Sequence, residues 1–198
     1  MNIFVILLKK EFTELFLNKK LLGFVCVLAL ALYATRFLET LVLSNTIILV
    51  FVMMIVNQYM FDSCVNDINS GGALFLHNIK AGFLKGFIAK LLCAIALGTF
   101  FFIVGIAVLH IGFALIDLWW IIPCFVFVSA FTFLLTIFTQ KSDFLNMFIN
   151  AVVILGILVA AIGIESILFR TAIISALTLC VFVACNFSFK RLSYRVLL

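Results

Sequence analysis

Long apolar stretches dominate the chain, and each ends at charged or turn-forming residues. Six of them have the length that an α-helix needs to cross a hydrocarbon core, which is about 20 residues. They lie at residues 21–37, 43–61, 87–113, 118–139, 144–164 and 167–187. The pattern predicts an all-α polytopic membrane protein with six transmembrane helices, in which residues 1–198 form a single transmembrane domain.

The first 20 residues have the spacing of an amphipathic helix. Their apolar side chains recur every three or four residues, at Phe4, Leu8, Phe12, Leu15 and Phe16. The charged residues Lys9, Lys10 and Glu14 fall largely on other faces. In a longer first span these charges would lie in hydrocarbon, where each costs about 2.5–3.5 kcal/mol at the centre. We therefore predict that residues 1–20 form an interfacial helix on the inner membrane surface.

The longest hydrophilic stretch, residues 62–86, is predicted to be a cytoplasmic loop between the second and third spans. The run from Asn69 to Gly72 interrupts it, and Leu76, Ile79 and Phe83 then follow at helical spacing. A short amphipathic helix in such a loop would present a surface to a cytoplasmic partner. The alternative is a loop that lies among the lipid headgroups.

Composition and charge support the membrane interpretation. The chain is 67% hydrophobic and 11% charged, against about half and about a quarter in soluble domains. No stretch is long enough for a soluble ATPase or DNA-binding domain. Of 13 basic residues, all except Arg36 and Arg170 fall in or next to the N-terminal segment, the second and fourth loops and the tail. Since Lys and Arg accumulate in cytoplasmic loops, we predict that both termini are cytoplasmic.

The sequence contains no catalytic motif. We find no G-x-S-x-G, no H-E-x-x-H and no Gly-Lys-Ser or Gly-Lys-Thr of a phosphate-binding loop. The six cysteines form no C-x-x-C pair and are interpreted as small buried apolar residues. We therefore predict a non-catalytic protein with no catalytic, cofactor-binding or metal-binding residue on this chain.

Uncharged polar residues cluster in the cytoplasmic halves of the second, fourth and fifth spans. The set comprises Asn57, Gln58, Ser129, Thr132, Thr136, Gln140, Asn146 and Asn150. Polar groups in hydrocarbon need partners. These side chains therefore line a shallow vestibule for a cargo, or they form hydrogen bonds that hold the helices together, and the sequence leaves both interpretations open.

Small residues at helical spacing allow close approach between helices. In the third span they are Ala94, Gly98, Gly105 and Gly112, for which we expect packing within the chain. In the fifth span they are Gly156, Ala160 and Gly163. For the fifth span, packing within the chain and contact with a second subunit are equally compatible with the pattern.

This layout resembles the ABC-2 type permeases, the membrane subunits of many bacterial ABC exporters. The segment LLKKEFTELFLNKK is similar to the family's basic and acidic helix before the first span. In the second loop the resemblance matches Asp67 to an early acidic residue, Gly72, Ala73 and Leu74 to a Gly-Thr-Leu motif, and Lys80 and Lys90 to two basic positions. The chain departs from the family pattern at Phe75, which replaces a Glu, and at Ala89, which replaces a Gly; no Pro precedes Lys80.

The resemblance implies a permease domain in the plasma membrane that pairs with a second copy or a sister permease. Separate cytoplasmic ATPase subunits would bind ATP and Mg²⁺ and drive it, and no nucleic acid is involved. It also implies that the second loop contains a coupling helix. The residues assigned to that contact are Asp67, Gly72, Leu74, Phe75, Leu76, Ile79, Lys80 and Phe83.

A hydrophobic path with almost no charge favours a hydrophobic or amphipathic cargo, such as a peptide, or a role in immunity to antimicrobial peptides. Two alternatives come from other classes of function. One is the six-span substrate-capture subunit of a vitamin importer, and the other is a membrane assembly factor without a cargo. Fold alone does not decide between them.

Overall fold

The chain folds into a bundle of α-helices. The computed structural model describes residues 3–17, 22–23, 25–26, 29–30, 33, 41–72, 82–109, 118–139, 143–164 and 166–196, and these residues contain no strand. The helices are α1 (Ile3–Leu17), α2 (Leu41–Asn69), α3 (Gly82–Leu109), α4 (Leu118–Thr139), α5 (Asp143–Ile162) and α6 (Ile167–Val196). The all-α prediction is confirmed for this part of the chain. Most of the first predicted span, at residues 21–37, lies outside it.

Four of the described helices are long and apolar enough to cross a membrane. The crossing segments are Ile48–Asn69 in α2, Leu84–Ala107 in α3, Trp119–Phe138 in α4 and Ile167–Ser188 in α6. They correspond to the second, third, fourth and sixth predicted spans, and the fifth forms the 20-residue helix α5. The chain is thus a membrane-embedded helical protein, while the total of six crossings stays a prediction.

Two helices extend into the segment predicted as a loop. α2 continues to Asn69 and α3 begins at Gly82, so the bounds predicted for the loop, residues 62–86, are wrong at both ends. The charges that suggested a loop have partners inside the helical structure. Gln58 Nε2 donates to Asp62 Oδ1 at 3.0 Å, and Asp67 forms ion pairs with two lysines.

α2 ends at a glycine turn. The Ser70 N–H donates to the Asn66 carbonyl at 2.9 Å, and Gly71 has a φ of 72°. Glycine suits this left-handed position because it has no Cβ to clash with the backbone. The predicted interruption between Asn69 and Gly72 is therefore the C-terminal cap of α2.

α2 occupies the centre of the bundle, where it packs against α3, α4 and α5 and is buried along most of its length. Glycines bring α3 close to it. A Cβ on Gly98 would lie 2.9 Å from Phe125 of α4 and 3.0 Å from Val56 of α2, and a Cβ on Gly105 would lie 2.9 Å from Ile48. These two glycines pack within the chain as expected, and Gly112 lies outside the described residues.

α4 contains Pro123 in its interior, which removes one backbone hydrogen-bond donor from the helix. The carbonyl of Trp119, four residues earlier, is the group that loses this partner. The Thr171 hydroxyl of α6 donates to the Ile167 carbonyl of its own helix at 2.8 Å and lies 3.4 Å from the Trp119 carbonyl. α6 thus packs against α4 at the point where α4 lacks one backbone hydrogen bond.

α5 and α6 lie at the periphery of the described bundle. α6 packs against α4 and is exposed along most of its length, and α5 exposes Phe148, Val152 and Val159. Gly156 lies on this side of α5, with open space where a Cβ would be, and Gly163 is also exposed. The side chain of Ala160 is outside the description, so the subunit contact predicted at Gly156, Ala160 and Gly163 stays a prediction.

Candidate functional site

Charged side chains converge where α1, α2 and α3 meet. Lys10 and Glu11 come from α1, Asp67 from the last turn of α2 and Lys90 from the third turn of α3. Glu11 and Lys90 are each only 2% exposed and Asp67 is 5% exposed, while Lys10 is partly exposed. We refer to Lys10, Glu11, Asp67 and Lys90 as the charge cluster.

Lys90 is the central cation of the charge cluster. Its Nζ lies 2.7 Å from Glu11 Oε1 and 2.8 Å from Asp67 Oδ2. It also donates to the Ser63 hydroxyl and lies 3.3 Å from the Ser63 carbonyl. An ammonium group has three protons to donate, so each of them has an acceptor at this buried position.

The remaining carboxylate oxygens are also satisfied. Glu11 Oε2 accepts hydrogen bonds from the Tyr59 hydroxyl at 3.0 Å and from the Ser63 hydroxyl at 2.6 Å. Asp67 Oδ1 accepts a hydrogen bond from the Lys10 ammonium. Buried charges are tolerated when they are paired and hydrogen-bonded in this way, and two positive and two negative side chains leave the cluster neutral.

Lys10 and Glu11 belong to α1 and lie outside the four crossing segments. Partial burial acts to lower the pKa of Lys10, but the hydrogen bond from Lys10 to Asp67 and the negative charge of Asp67 outweigh it. The pKa of Lys10 therefore lies above its ordinary value of 10.5.

α1 contacts the bundle through a face that includes Leu7 and Glu11. The helix Ile3–Leu17 lies within the predicted range of 1–20, but its fully buried residues are Leu7 and Glu11. Of the predicted apolar stripe, Phe12 and Phe16 are exposed, Phe16 to 80%, while Phe4, Leu8 and Leu15 are partly buried. Glu11 is buried rather than exposed to water because it forms an ion pair with Lys90 inside the bundle. The position of α1 on the inner membrane surface stays a prediction.

Sequence reasoning missed most of this cluster as a site. Glu11, Tyr59 and Ser63 were not predicted to be functional residues. The available signal was Lys90, which lies inside the third predicted span at 87–113. A cation at that position requires a carboxylate or polar partner from another element, and Glu11 and Asp67 are the partners.

Of the residues predicted to contact an ATPase, Asp67 and Gly72 are placed most clearly. Asp67 is buried in the charge cluster, and its contact with an ATPase stays a prediction. A Cβ on Gly72 would lie 3.1 Å from Asp67 Oδ1, so Gly72 lies directly beside the cluster. Phe83 is in the first turn of α3. The others, Leu74, Phe75, Leu76, Ile79 and Lys80, lie outside the described residues.

A second buried polar group links α2 to α4 and α5. The Thr132 hydroxyl of α4 lies 2.7 Å from Asn57 Oδ1 of α2 and 3.5 Å from Asn150 Oδ1 of α5, and all three residues are at most 2% exposed. We refer to Asn57, Thr132 and Asn150 as the amide cluster. It joins α2, α4 and α5 without any charge.

The predicted vestibule residues in the described part of the chain are buried. Gln58 bonds to Asp62, and the Thr136 hydroxyl donates to the Thr132 carbonyl at 2.7 Å. These hydrogen bonds lie within and between helices, and the vestibule for a cargo stays a prediction. Gln140 and the side chain of Asn146 lie outside the described residues.

Two grooves open on the surface of the described bundle. One, of about 530 Å³, lies between α1, residues 22 and 25, and α3, and Cys93 lines it. The other, of about 380 Å³, lies between α3, α4 and α6. Both are lined almost entirely by apolar side chains, and no member of the amide cluster lines either of them.

Comparisons with known proteins find no relative of this chain. No family model matches the chain, and no curated protein and no solved structure matches it. The functional assignment therefore depends on the residues and contacts of this chain.

Proposed function

We propose that the chain is the transmembrane subunit of an ABC transporter that exports a hydrophobic or amphipathic cargo such as a peptide. The observation that carries this proposal is the order of elements along the chain. An amphipathic helix rich in charge precedes six apolar segments, and a short segment at residues 70–81 joins α2 to α3 on the side where basic residues accumulate. In this proposal both termini face the cytoplasm of a cell with the protein in its plasma membrane.

The segment at residues 73–81 is the proposed contact with a separate ATPase. α2 and α3 are joined at this end by the ion pair between Asp67 and Lys90, so a force on the segment acts on both helices. Closure of the ATPase would move the two helices together and widen the path for the cargo. ATP and Mg²⁺ bind the ATPase in this proposal, and the chain itself is not an enzyme.

The apolar character of the described grooves supports the choice of cargo. Both are lined by aliphatic and aromatic side chains with very little polar surface. Ligand sites lined in this way bind apolar groups and exclude ions and sugars, which need several hydrogen-bonding partners. The exposed side of α5 around Gly156 is the proposed contact with a second permease subunit.

A pull-down tests the proposal. The detergent-solubilised full chain is compared with a variant that carries Leu74→Ala, Phe75→Ala and Ile79→Ala. A matched control carries Leu168→Ala, Phe169→Ala and Ile173→Ala, which change the same three residue types at exposed positions of α6. We expect an ATPase with a phosphate-binding loop to co-purify with the native chain and with the control, and to be lost from the loop variant.

Two outcomes contradict the proposal. A chain that purifies without an ATPase and with a tightly bound small molecule supports the vitamin-capture alternative. A chain that purifies with neither supports the assembly-factor alternative.

A further inference from the structure

The charge cluster is divided between two groups of helices, and each group contributes one cation and one carboxylate to it. α1 contributes Lys10 and Glu11, whereas α2 and α3 contribute Asp67 and Lys90. Two ion pairs cross the boundary between α1 and the other helices: Lys90 to Glu11 at 2.7 Å, and Lys10 to Asp67. These two pairs would break if α1 moved away.

Each lysine also has a carboxylate partner on its own side of the boundary. Lys90 Nζ lies 2.8 Å from Asp67 Oδ2, and Lys10 Nζ lies 3.4 Å from Glu14 Oε1, one helical turn away on α1. Breaking an ordinary buried ion pair leaves an uncompensated charge in the protein interior, which is strongly destabilising. Here, separation would leave Lys90 paired with Asp67, and Glu11 would move with α1 to the surface.

Apolar contacts also hold α1 on the bundle. Its one fully buried apolar side chain is Leu7, which packs against Ala89 of α3, and Leu8 and Leu15 are partly buried against the core. The side chain of Phe16 is exposed. Apolar burial stabilises in proportion to the area removed from water, so this limited burial and the ion pairs together link α1 to the bundle.

We propose that α1 docks reversibly onto α2 and α3, held by the two ion pairs that cross the boundary, and that it can leave without stranding a charge in the bundle. Its release opens the groove of about 530 Å³ that α1 and α3 line together. This inference does not depend on the proposed transport function, because the docking of α1 involves only this chain.

Thiol labelling tests the inference in permeabilised membranes. Leu7→Cys places a thiol at the boundary between α1 and the other helices. Residues 1–25 contain no native cysteine. A water-soluble maleimide that mass spectrometry detects on a peptide from residues 1–25 therefore reports labelling at position 7. Ile6→Cys, at an exposed site, gives the labelling rate of a fully accessible thiol. Native Cys124 in α4, which is 1% exposed, reports unfolding of the bundle in the same sample.

We expect slow but complete labelling at position 7 with the native charges. Glu11→Gln removes a charged partner from across the boundary and should accelerate labelling about tenfold or more. The matched variant Glu14→Gln removes a carboxylate that pairs within α1, and its rate should stay within about twofold of the native rate. Cys124 should remain unlabelled throughout.

Two results would overturn the inference. If position 7 stays as protected as Cys124 in both variants, apolar contacts hold α1 in place permanently. If Glu11→Gln exposes Cys124 together with position 7, the cluster holds the whole bundle together and α1 has no separate docking equilibrium.

Discussion

Two polar clusters join α2 to different neighbours, and they do so by different means. The charge cluster links α2 to α1 and α3 through ion pairs, with Lys90 at its centre. The amide cluster links α2 to α4 and α5 through neutral groups, with the Thr132 hydroxyl between Asn57 and Asn150. Apart from Lys10, which is partly exposed, both are almost completely buried.

The difference lies in what remains after one side chain is lost. A buried charge without a partner is strongly destabilising, whereas a neutral group that loses its partner costs only its own desolvation. The charge cluster nevertheless keeps one ion pair on each side of the boundary between α1 and the other helices. In the amide cluster, the Thr132 hydroxyl has only one proton to donate to its acceptors. The comparison indicates that α1 can separate from α2 and α3, whereas α4 stays packed against α2.

The largest expected effect comes from Lys90→Met. The variant keeps a long side chain but leaves Glu11 and Asp67 buried without their shared cation. Breaking a buried pair in this way costs about 3–5 kcal/mol, so we expect a strong fall in thermal stability and in the yield of monodisperse protein. The measurement is thermal unfolding of the purified chain in one detergent.

The control for Lys90→Met is Lys85→Met, an equivalent change earlier on α3 at a side chain that is only partly buried. It should leave the unfolding temperature almost unchanged. Equal stability of Lys90→Met and Lys85→Met would show that the charge cluster does not hold α3 in place.

An intermediate effect is expected from Thr132→Val, which removes the hydroxyl from the amide cluster and keeps the shape of the side chain. Asn57 then loses its donor, at a cost of about 1–3 kcal/mol. Adding Asn57→Leu removes the unsatisfied group as well, so the double variant should be more stable than Thr132→Val alone. Thermal unfolding of the four combinations measures this coupling.

The matched control is Thr178→Val on α6, where the hydroxyl donates to the Ile174 carbonyl of the same helix. It should cost less than Thr132→Val. Additive effects of Asn57→Leu and Thr132→Val would mean that the two side chains do not depend on each other, and the amide cluster would then not be a single unit.

Much of the fold followed from the sequence because apolar length and spacing are local properties. The fourth predicted span, 118–139, coincides with α4, and the helix predicted within residues 1–20 is present as α1. The ends of α2 and α3 were predicted poorly. Charge was taken as the sign of a loop, whereas Asp62 and Asp67 continue the helix because each has a partner.

The charge cluster could not be predicted in full because it depends on contacts between distant parts of the chain. Glu11 and Lys90 are 79 residues apart, and the local sequence around either residue does not predict its contact with the other. The sequence supplied only the requirement that Lys90 must have a partner. The amide cluster was anticipated more fully, since the shared depth of Asn57, Thr132 and Asn150 followed from the predicted spans.

The smallest expected effect comes from Lys10→Met, which removes the cation at the exposed edge of the charge cluster. Its side chain is 36% exposed, and ion pairs open to solvent contribute about 0–1 kcal/mol. Asp67 keeps Lys90 in this variant, so no buried charge is left alone. Thermal unfolding should therefore show a loss far smaller than that of Lys90→Met.

The pH dependence of that small loss identifies its source. Because the pKa of Lys10 is raised above 10.5 in the folded chain, its contribution is complete below the pKa of an unfolded lysine and disappears as the pH rises through the folded value. The difference in unfolding temperature between the native chain and Lys10→Met should stay constant from about pH 6 to about pH 9 and shrink at higher pH. A difference that already changes near neutral pH would have to come from another group, and the pair between Lys10 and Asp67 would then not be what holds this edge of α1.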